Sequence, residues 1–464
     1  MSGPEPAYDP ASYRDRHARV FHRGSEVLRG LSPEAASSWH LTREAPFFRA
    51  MVGESKIIDT EELPGEGSWV MLLRHARIPV ISYPYEWSFG MLRQAADLQL
   101  EITQRALRDG IALRDATPYN VQWIGPRPTF IDVTSFEKFA EGSLWTGYRQ
   151  FCELFLFPLL LQSYRNVDFH PWIRGNLDGI PASQMANLLS ARDRLRPGVF
   201  THVVLQAKLQ NRFRSESSQG VNATVRRTAG ASRDMILANV RRLRSLVDRL
   251  RWELPGGGWE EYERRNTYSD ADREMKEAFV RNWSAQLHPR LAIDIGCNTG
   301  GFAQIAAESS DYVLAVDSDH AVIERLYQRL VSERVVGNIL PLVWDVVNPS
   351  PGLGWNCAER RPLEKRVEPD LVLALAVIHH LVIGRNVPLA DVITFFAAFR
   401  SPLVIEFVDR HDPMTRHLLE QKDEPFEDYS MNSFEDEISA RFEIIERRPL
   451  PSGSRTLYFA RPRL

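Results

Sequence analysis

The stretch LAIDIGCNTGG, residues 291–301, joins a short apolar run to a glycine-rich turn, and the residues after it, FAQIAAES, have a helical pattern. The apolar run predicts a strand that is buried on both faces, as the strands of parallel sheets are. Gly296 and Gly300 allow a tight turn and a close approach of the backbone to a ligand. A strand, a glycine turn and a helix in this order predict a nucleoside-cofactor site in an α/β fold.

The residues around the turn indicate which kind of cofactor is held. A second apolar run, YVLAVD, ends in Asp317, roughly 20 residues after Gly296, where a carboxylate can accept both ribose hydroxyls. A dinucleotide turn needs a second glycine where this chain has Asn298, and Asp294 before the turn would repel a pyrophosphate. A carboxylate at that position suits a ligand with an ammonium group.

These features, followed by VWDV and LALAVIHHL, resemble the successive motifs of class I S-adenosylmethionine-dependent methyltransferases. The resemblance covers residues 256–464. It implies a Rossmann-like, seven-stranded, doubly wound α/β sheet whose last two strands, FEIIERRPLP and RTLYFARP, are antiparallel. It also implies S-adenosylmethionine as the cofactor, with binding residues at Asp294, Gly296, Asn298, Gly300, Asp317, Asp345 and Tyr268.

The candidate catalytic residues follow the later strands of that sheet. The fourth strand leads into His379 and His380 at its carboxyl end, where ligands bind in open α/β sheets. A histidine there could deprotonate a methyl acceptor near neutral pH, or it could form a wall of the pocket or anchor the next helix. Glu406, near the end of the fifth strand PLVIEFVD, is a further candidate that could face the acceptor.

A second informative stretch lies in the first half of the chain. The amphipathic segment MLRQAADLQLEITQRALRDG predicts a long helix that stops at Gly110. The following residues, IALRDATPYNVQWIGPRPTFIDV, resemble the catalytic core of protein kinases and aminoglycoside phosphotransferases. The resemblance implies an α+β kinase-like domain in which Asp115 is the catalytic acid and Asn120 and Asp132 hold a metal with Mg-ATP.

That resemblance has departures. Leu113 stands where kinases have histidine, Val133 and Thr134 replace the Phe and Gly of the DFG motif, and no glycine-rich phosphate loop precedes the helix. Such a domain could bind a nucleotide, phosphorylate a substrate or only keep the shape. Upstream of it, RVFHRGSEVLRGL predicts two short strands joined by a turn, and SWVMLLRHARI predicts a helix that ends before Pro79.

The composition changes between the two halves. Residues 211–234 are polar and poor in large apolar side chains, and the basic helical pattern MILANVRRLRSLVDRLRWEL follows. We therefore expect a kinase-like domain at 1–210, a polar linker with a basic helix at 211–255, and the methyltransferase domain at 256–464. The basic helix could contact RNA or acidic lipid, or present a solvated face.

Whole-chain properties narrow the function classes. The 464 residues carry a net charge of −3, which gives no general case for nucleic acid or an anionic membrane, and three cysteines favour a reducing cytosol. The N-terminus lacks the apolar region of a signal peptide, and the most apolar run, residues 151–161, is too short to span a bilayer. We expect a cytoplasmic methyltransferase for a small molecule or saccharide. A bifunctional kinase and methyltransferase, or a catalytically idle scaffold, are the alternatives.

Overall fold

The structure is a computed structural model that describes residues 8–208, 232–254, 269–333, 337–423 and 426–463. It divides into two compact units. The first contains Met1–Glu253 together with the short segment Pro351–Arg361, and the second contains Leu254–Ser350 and Pro362–Leu464. The chain therefore leaves the second unit after Ser350, contributes eleven residues to the first unit, and returns.

The first unit begins with a four-stranded antiparallel sheet in the order β1-β2-β4-β3. Its elements are β1 (Ala18–Arg23), β2 (Glu26–Leu31), α1 (Pro33–Glu44), α2 (Pro46–Gly53), β3 (Thr60–Pro64) and β4 (Met71–His75). The hairpin of β1 and β2 is confirmed. The helix expected before Pro79 is wrong: residues 71–75 form a strand, because backbone pairing with β2 on one side and β3 on the other outweighs the helical preference of Met and Leu.

A long helix and four short strands follow. They are α3 (Phe89–Arg108), β5 (Ile111–Leu113), β6 (Val121–Ile124), β7 (Arg127–Phe130) and β8 (Phe136–Lys138). Ser88 caps α3, since its side chain accepts from the Met91 amide, and Gly110 has the positive φ of +75° expected after the helix. β6 and β7 form a hairpin, while β8 returns to pair with β5. The loop between β5 and β6 therefore lies beside the segment between β7 and β8.

The remaining helices complete the first unit. They are α4 (Tyr148–Phe151), α5 (Phe157–Arg165), α6 (His170–Gly175), α7 (Ala182–Leu188) and α8 (Arg233–Arg249), with a π-helical turn (Cys152–Leu156) between α4 and α5. The basic pattern forms α8, which packs on α3, and Arg244 binds both oxygens of Asp97 at 2.6 and 3.0 Å. The apolar face of α8 is thus buried inside the first unit. Among the described helices, none combines the length and apolar character needed to cross a membrane.

The second unit is built around a seven-stranded sheet in the order β11-β10-β9-β12-β13-β15-β14. The strands are β9 (Leu291–Ile295), β10 (Tyr312–Asp317), β11 (Ile339–Val343), β12 (Leu371–Ala374), β13 (Leu403–Val408), β14 (Phe442–Pro449) and β15 (Arg455–Pro462). The helices are α9 (Asp270–Leu287), α10 (Gly301–Ala307), α11 (His320–Ser332), α12 (Leu389–Ala397), α13 (Pro413–Leu419) and α14 (Met431–Arg441). β15 runs antiparallel to β13 and to β14, as expected, whereas β9 to β13 are parallel.

The strand order positions a site. From β9 the chain moves outward through β10 to β11 and then returns to β12 on the other side of β9. The connections reverse direction between β9 and β12, and ligands of open α/β sheets bind at such a switch point, beyond the carboxyl ends of the strands. The glycine turn follows β9 and the two histidines follow β12, so both lie at this edge.

Candidate functional site

The glycine turn leaves no room for side chains at two positions. Gly296 has φ +72°, and a Cβ there would lie 2.6 Å from the Cγ2 of Val377. Gly300 has φ +79°, and its Cβ would lie 2.7 Å from the Cδ1 of Leu326. Asn298 between them also has a positive φ, +51°. Both glycines are therefore required by backbone conformation and by close packing.

Asp294 lies in β9 just before this turn and is 2% exposed. Its Oδ2 is buried and has no hydrogen-bond partner among the described residues. Burial first, and then the nearby carboxylate of Asp317, raise the pKa of Asp294 from its ordinary value of 3.8 to about 7. An unpaired buried carboxylate oxygen is costly, so this position is chemically prepared for a cationic donor such as the ammonium group of a methionyl moiety.

Asp317, the last residue of β10, is tied to the turn. Its Oδ2 accepts from the Asn298 amide at 3.0 Å, and its Oδ1 accepts from the Asp319 amide at 3.0 Å. Burial raises the pKa of Asp317, and these backbone donors oppose the rise. A carboxylate has about four acceptor positions, so both oxygens keep the capacity to accept from hydroxyl groups.

Asp345 lies two residues beyond β11 and is half-buried. Its Oδ1 accepts from the Val347 amide at 2.9 Å, and its Oδ2 accepts from Arg385 at 3.1 Å. Arg385 comes from the segment that follows the histidines. Asp345, one of the predicted cofactor-binding residues, is therefore linked to the β12 side of the site.

The two histidines differ in exposure. His379 is 1% exposed and its Nδ1 has no partner among the described residues, whereas His380 is half-buried. Burial lowers the pKa of His380. Burial, and then the neighbouring imidazole of His380, lower the pKa of His379 well below its usual value. Both rings are therefore neutral at pH 7, and their centroids lie 4.2 Å apart. A neutral imidazole can accept a proton, and of the two His380 is the more accessible.

Glu406 belongs to a buried network of four charged side chains. Its Oε2 accepts from Lys276 Nζ at 2.6 Å and its Oε1 accepts from Arg455 at 3.4 Å. Arg455 also binds both oxygens of Asp412, at 2.7 and 3.0 Å. Lys276 and Glu406 are almost completely buried. Because both oxygens of Glu406 are already paired with cations, the catalytic role predicted for it would require one of these pairs to break.

The first unit brings its three predicted residues together. Asn120 Nδ2 donates to Asp132 Oδ2 at 3.3 Å, and the Ser135 hydroxyl donates its one proton to that same oxygen while its Oγ lies 3.4 Å from Asp115 Oδ2. The loss of water around its carboxyl group, and then the charge of Asp132, raise the pKa of Asp115, although the residue as a whole is exposed. These hydrogen bonds bring Asn120 and Asp132 together directly and bring Asp115 near them through Ser135. The ligation of a metal stays a prediction.

A basic residue that the sequence did not single out completes this cluster. Arg29 on β2 is 8% exposed, and its Nη1 donates to Asp132 Oδ1 and to Thr134 Oγ1, both at 2.7 Å. The charge of Arg29 and the hydroxyl donors outweigh the effect of burial and hold the pKa of Asp132 below its usual range. A metal on Asp132 would have to compete with this ion pair.

Comparison with known proteins identifies relatives of the whole chain. Nodulation protein NoeA of Rhizobium meliloti (strain 1021) is 36% identical over 465 residues, which cover 98% of this chain and 96% of NoeA. The chain belongs to the NoeA family. No protein-family model matches it.

Solved structures match only part of the chain, and weakly. The N-methyltransferase NodS of Bradyrhizobium japonicum WM9 has a TM-score of 0.31 and 14% identity, covering 42% of this chain and 99% of NodS. Magnesium protoporphyrin IX methyltransferase (ChlM) of Synechocystis PCC 6803 has a TM-score of 0.31 and 15% identity, covering 44% and 94%. The assignment of the fold in this member of the NoeA family rests on its own strand order.

Some residues of the site were not predicted from the sequence, and one predicted residue lies outside the part of the chain that the structure describes. Lys276 had no signal beyond a charged residue in an amphipathic helix. Glu406 interrupts the apolar strand LVIEFV, and a charge inside a buried strand requires a partner. Arg455 and Arg29 had no local signal, because their partners are distant in sequence. Tyr268, one of the predicted cofactor-binding residues, lies outside the described residues.

Proposed function

We propose that the second unit binds S-adenosylmethionine and transfers a methyl group to a small-molecule or saccharide acceptor. The observation that carries the proposal is Asp294, a buried carboxylate with an unpartnered oxygen, placed just before a turn at the switch point of the sheet where Gly296 and Gly300 leave no room for a Cβ. A pyrophosphate would be repelled there, whereas an ammonium group would satisfy the buried oxygen. The name of NoeA specifies no acceptor, and the net charge of −3 does not favour nucleic acid.

Each residue has a proposed binding role. Asp294 pairs with the ammonium group, Asp317 accepts the ribose hydroxyls, and Asp345 accepts from the adenine amino group. The backbone at Gly296, Asn298 and Gly300 contacts the cofactor, and Tyr268 is a further proposed binding residue. The bound cofactor supplies an electrophilic methyl group on a sulfonium. Positioning of the acceptor in line with that group accounts for most of the rate.

The histidines handle the proton of the acceptor. An acceptor such as a hydroxyl or amide must lose a proton as its nucleophilic atom is methylated. His380, which is neutral and partly accessible, is the proposed base. His379, enclosed behind it with rings 4.2 Å apart, is proposed to orient the His380 ring or to share the proton. A catalytic role for Glu406 would require its pair with Lys276 or with Arg455 to break.

Calorimetric titration with S-adenosylhomocysteine tests the proposal. The whole chain should bind it, and Asp294→Asn should weaken binding by about 1–3 kcal/mol by removing a charge-assisted contact. Asp370→Asn is the matched control: Asp370 precedes β12 at the opposite edge of the sheet, where it pairs with Arg290 at 3.0 Å. Failure of the wild-type chain to bind S-adenosylhomocysteine, or equal binding of NAD, would refute the proposal and favour an idle scaffold.

For the first unit we propose a kinase-like fold that serves as a platform for the acceptor. The order of its elements supports this: a long helix, a short strand, a loop with Asp115 and Asn120, a hairpin, Asp132, and a strand that pairs back with the first one. Deleting residues 1–253, which leaves Pro351–Arg361 in the chain, should lower turnover on the acceptor without changing the affinity of the second unit for S-adenosylhomocysteine. Unchanged turnover would exclude the platform role.

A further inference from the structure

The acidic cluster of the first unit contains a cation of its own. Arg29 lies on β2 of the four-stranded sheet, and Asp132 lies after β7 in the helical part of the same unit. The guanidinium is almost buried and donates to Asp132 Oδ1 at 2.7 Å, while its Nη2 approaches the Ile131 carbonyl oxygen at 3.5 Å. A guanidinium keeps its charge at every pH a protein experiences. The positive charge beside Asp132 is therefore permanent.

The hydrogen bonds of Asp132 are complete. Its Oδ1 accepts from Arg29 and, at 3.0 Å, from the Thr134 hydroxyl. Its Oδ2 accepts from Asn120 Nδ2 and from the Ser135 hydroxyl. A carboxylate offers about four lone-pair positions, and four donors fill them. A divalent cation needs at least one of those positions directed at itself.

The orientation of the Asn120 side chain is also that of a hydrogen-bond donor to Asp132 and not that of a metal ligand. Its amide turns the NH₂ group towards Asp132, so the side chain acts as a donor. A metal shared by the two residues would need the carbonyl oxygen of Asn120 on that side. The arrangement suits an internal guanidinium and does not suit a bound dication.

We infer that Arg29 takes the place of a divalent cation at Asp132, so that the cluster is an ion-pair lock between the sheet and the helical part of the first unit and not a metal site. Lys56 does not substitute for it, because its ammonium is paired with Glu101 at 2.7 Å and Glu54 at 2.8 Å. The kinase-like resemblance of this unit then concerns its shape, without Mg-ATP chemistry.

Binding of Mn²⁺ to the full-length protein, followed by electron paramagnetic resonance, tests this inference. The wild-type protein should have no Mn²⁺ site that depends on Asp132, so Asp132→Asn should leave its Mn²⁺ binding unchanged. Arg29→Met should create binding that the second substitution Asp132→Asn removes again, because one positive charge next to the carboxylate is lost. Its Mn²⁺ affinity should be at least about tenfold above any residual binding to the wild-type protein. Arg23→Met is the control, since it frees only Glu66 of an exposed pair on the same sheet; it should gain nothing.

Two results would overturn the inference. One is a wild-type Mn²⁺ site that Asp132→Asn abolishes. The other is a folded Arg29→Met protein without any gain in Mn²⁺ affinity. If Arg29→Met does not fold, Arg29→Lys replaces it: this variant keeps the charge and should still exclude Mn²⁺, and binding that depends on Asp132 in this variant would contradict the inference. Thermal shift with MgCl₂ and ATP should show no stabilisation of the wild-type protein beyond that by ATP alone, and an Asp132-dependent increase would also overturn it.

Discussion

The affinity of the second unit for its cofactor should depend on pH through Asp294. Its pKa in the free protein is raised to about 7, mainly by burial. Only the ionised form pairs with an ammonium group, so affinity should rise as the pH rises through 7. With that pKa the ionised fraction is about 0.09 at pH 6 and about 0.91 at pH 8, which predicts an affinity roughly tenfold higher at pH 8.

The same shift has a consequence for stability. The folded-state pKa of Asp294 lies above its unfolded value, so the stability it contributes is fully present below about pH 4 and is lost as the pH rises through about 7. A cationic ligand relieves this loss, since it stabilises the ionised carboxylate. Stabilisation by S-adenosylhomocysteine should therefore be greater at pH 8 than at pH 6.

Calorimetry with S-adenosylhomocysteine from pH 6 to 8, at constant ionic strength, measures the effect. The pKa values of His379 and His380 are lowered from 6.5, so these residues contribute little over the upper part of that range. Asp294→Asn should bind more weakly and lose the pH dependence. A flat wild-type profile, or the same slope in Asp294→Asn, would refute the assignment of Asp294 to the ammonium group.

Three further perturbations test other parts of the second unit. Gly296→Ala should lower the melting temperature, because a positive φ costs alanine about 1–2 kcal/mol and the 2.6 Å contact of its Cβ with Val377 costs about 1–3 kcal/mol more. Gly301→Ala is the control and should not lower it, because a Cβ there has nothing within 4 Å. Lys276→Met should destabilise the unit by about 3–5 kcal/mol in denaturant unfolding, because it breaks a fully buried ion pair. Arg273→Met breaks an exposed pair on the same helix and should cost less than about 0.5 kcal/mol. Equal effects of the two substitutions would show that burial of the Lys276 pair does not matter. His380→Ala should lower turnover and leave the affinity for S-adenosylhomocysteine unchanged; full activity from pH 6 to 8 would make the histidine a wall of the pocket.

Sequence reasoning worked best where neighbours along the chain make the structure. The glycine turn was predictable because the strand, the positive-φ residues and the helix are contiguous, and Asp317 ends the next strand. The long helix α3 carries its own start and stop signals at Ser88 and Gly110. The antiparallel end of the sheet followed from the resemblance, and the strand order confirms it.

Residues 71–75 show where local patterns were insufficient. MLLRH has a helical composition, yet it becomes an inner strand because β2 and β3 satisfy its backbone on both sides. The difference between His379 and His380 also escaped the sequence: adjacent residues with identical side chains differ in exposure because of what packs around them. Neither outcome is encoded within a window of a few residues.

The sequence by itself determined the glycine turn, the acids at the ends of β9 and β10, and the existence of two parts, since each depends on short-range spacing or composition. Only the tertiary structure decided which charges are available. Arg29 reaches Asp132 across 103 positions of the chain, and Lys276 reaches Glu406 across 130. A carboxylate that is free to act and one that is locked in an ion pair look the same in a sequence, because the partner that makes the difference is brought near only by folding.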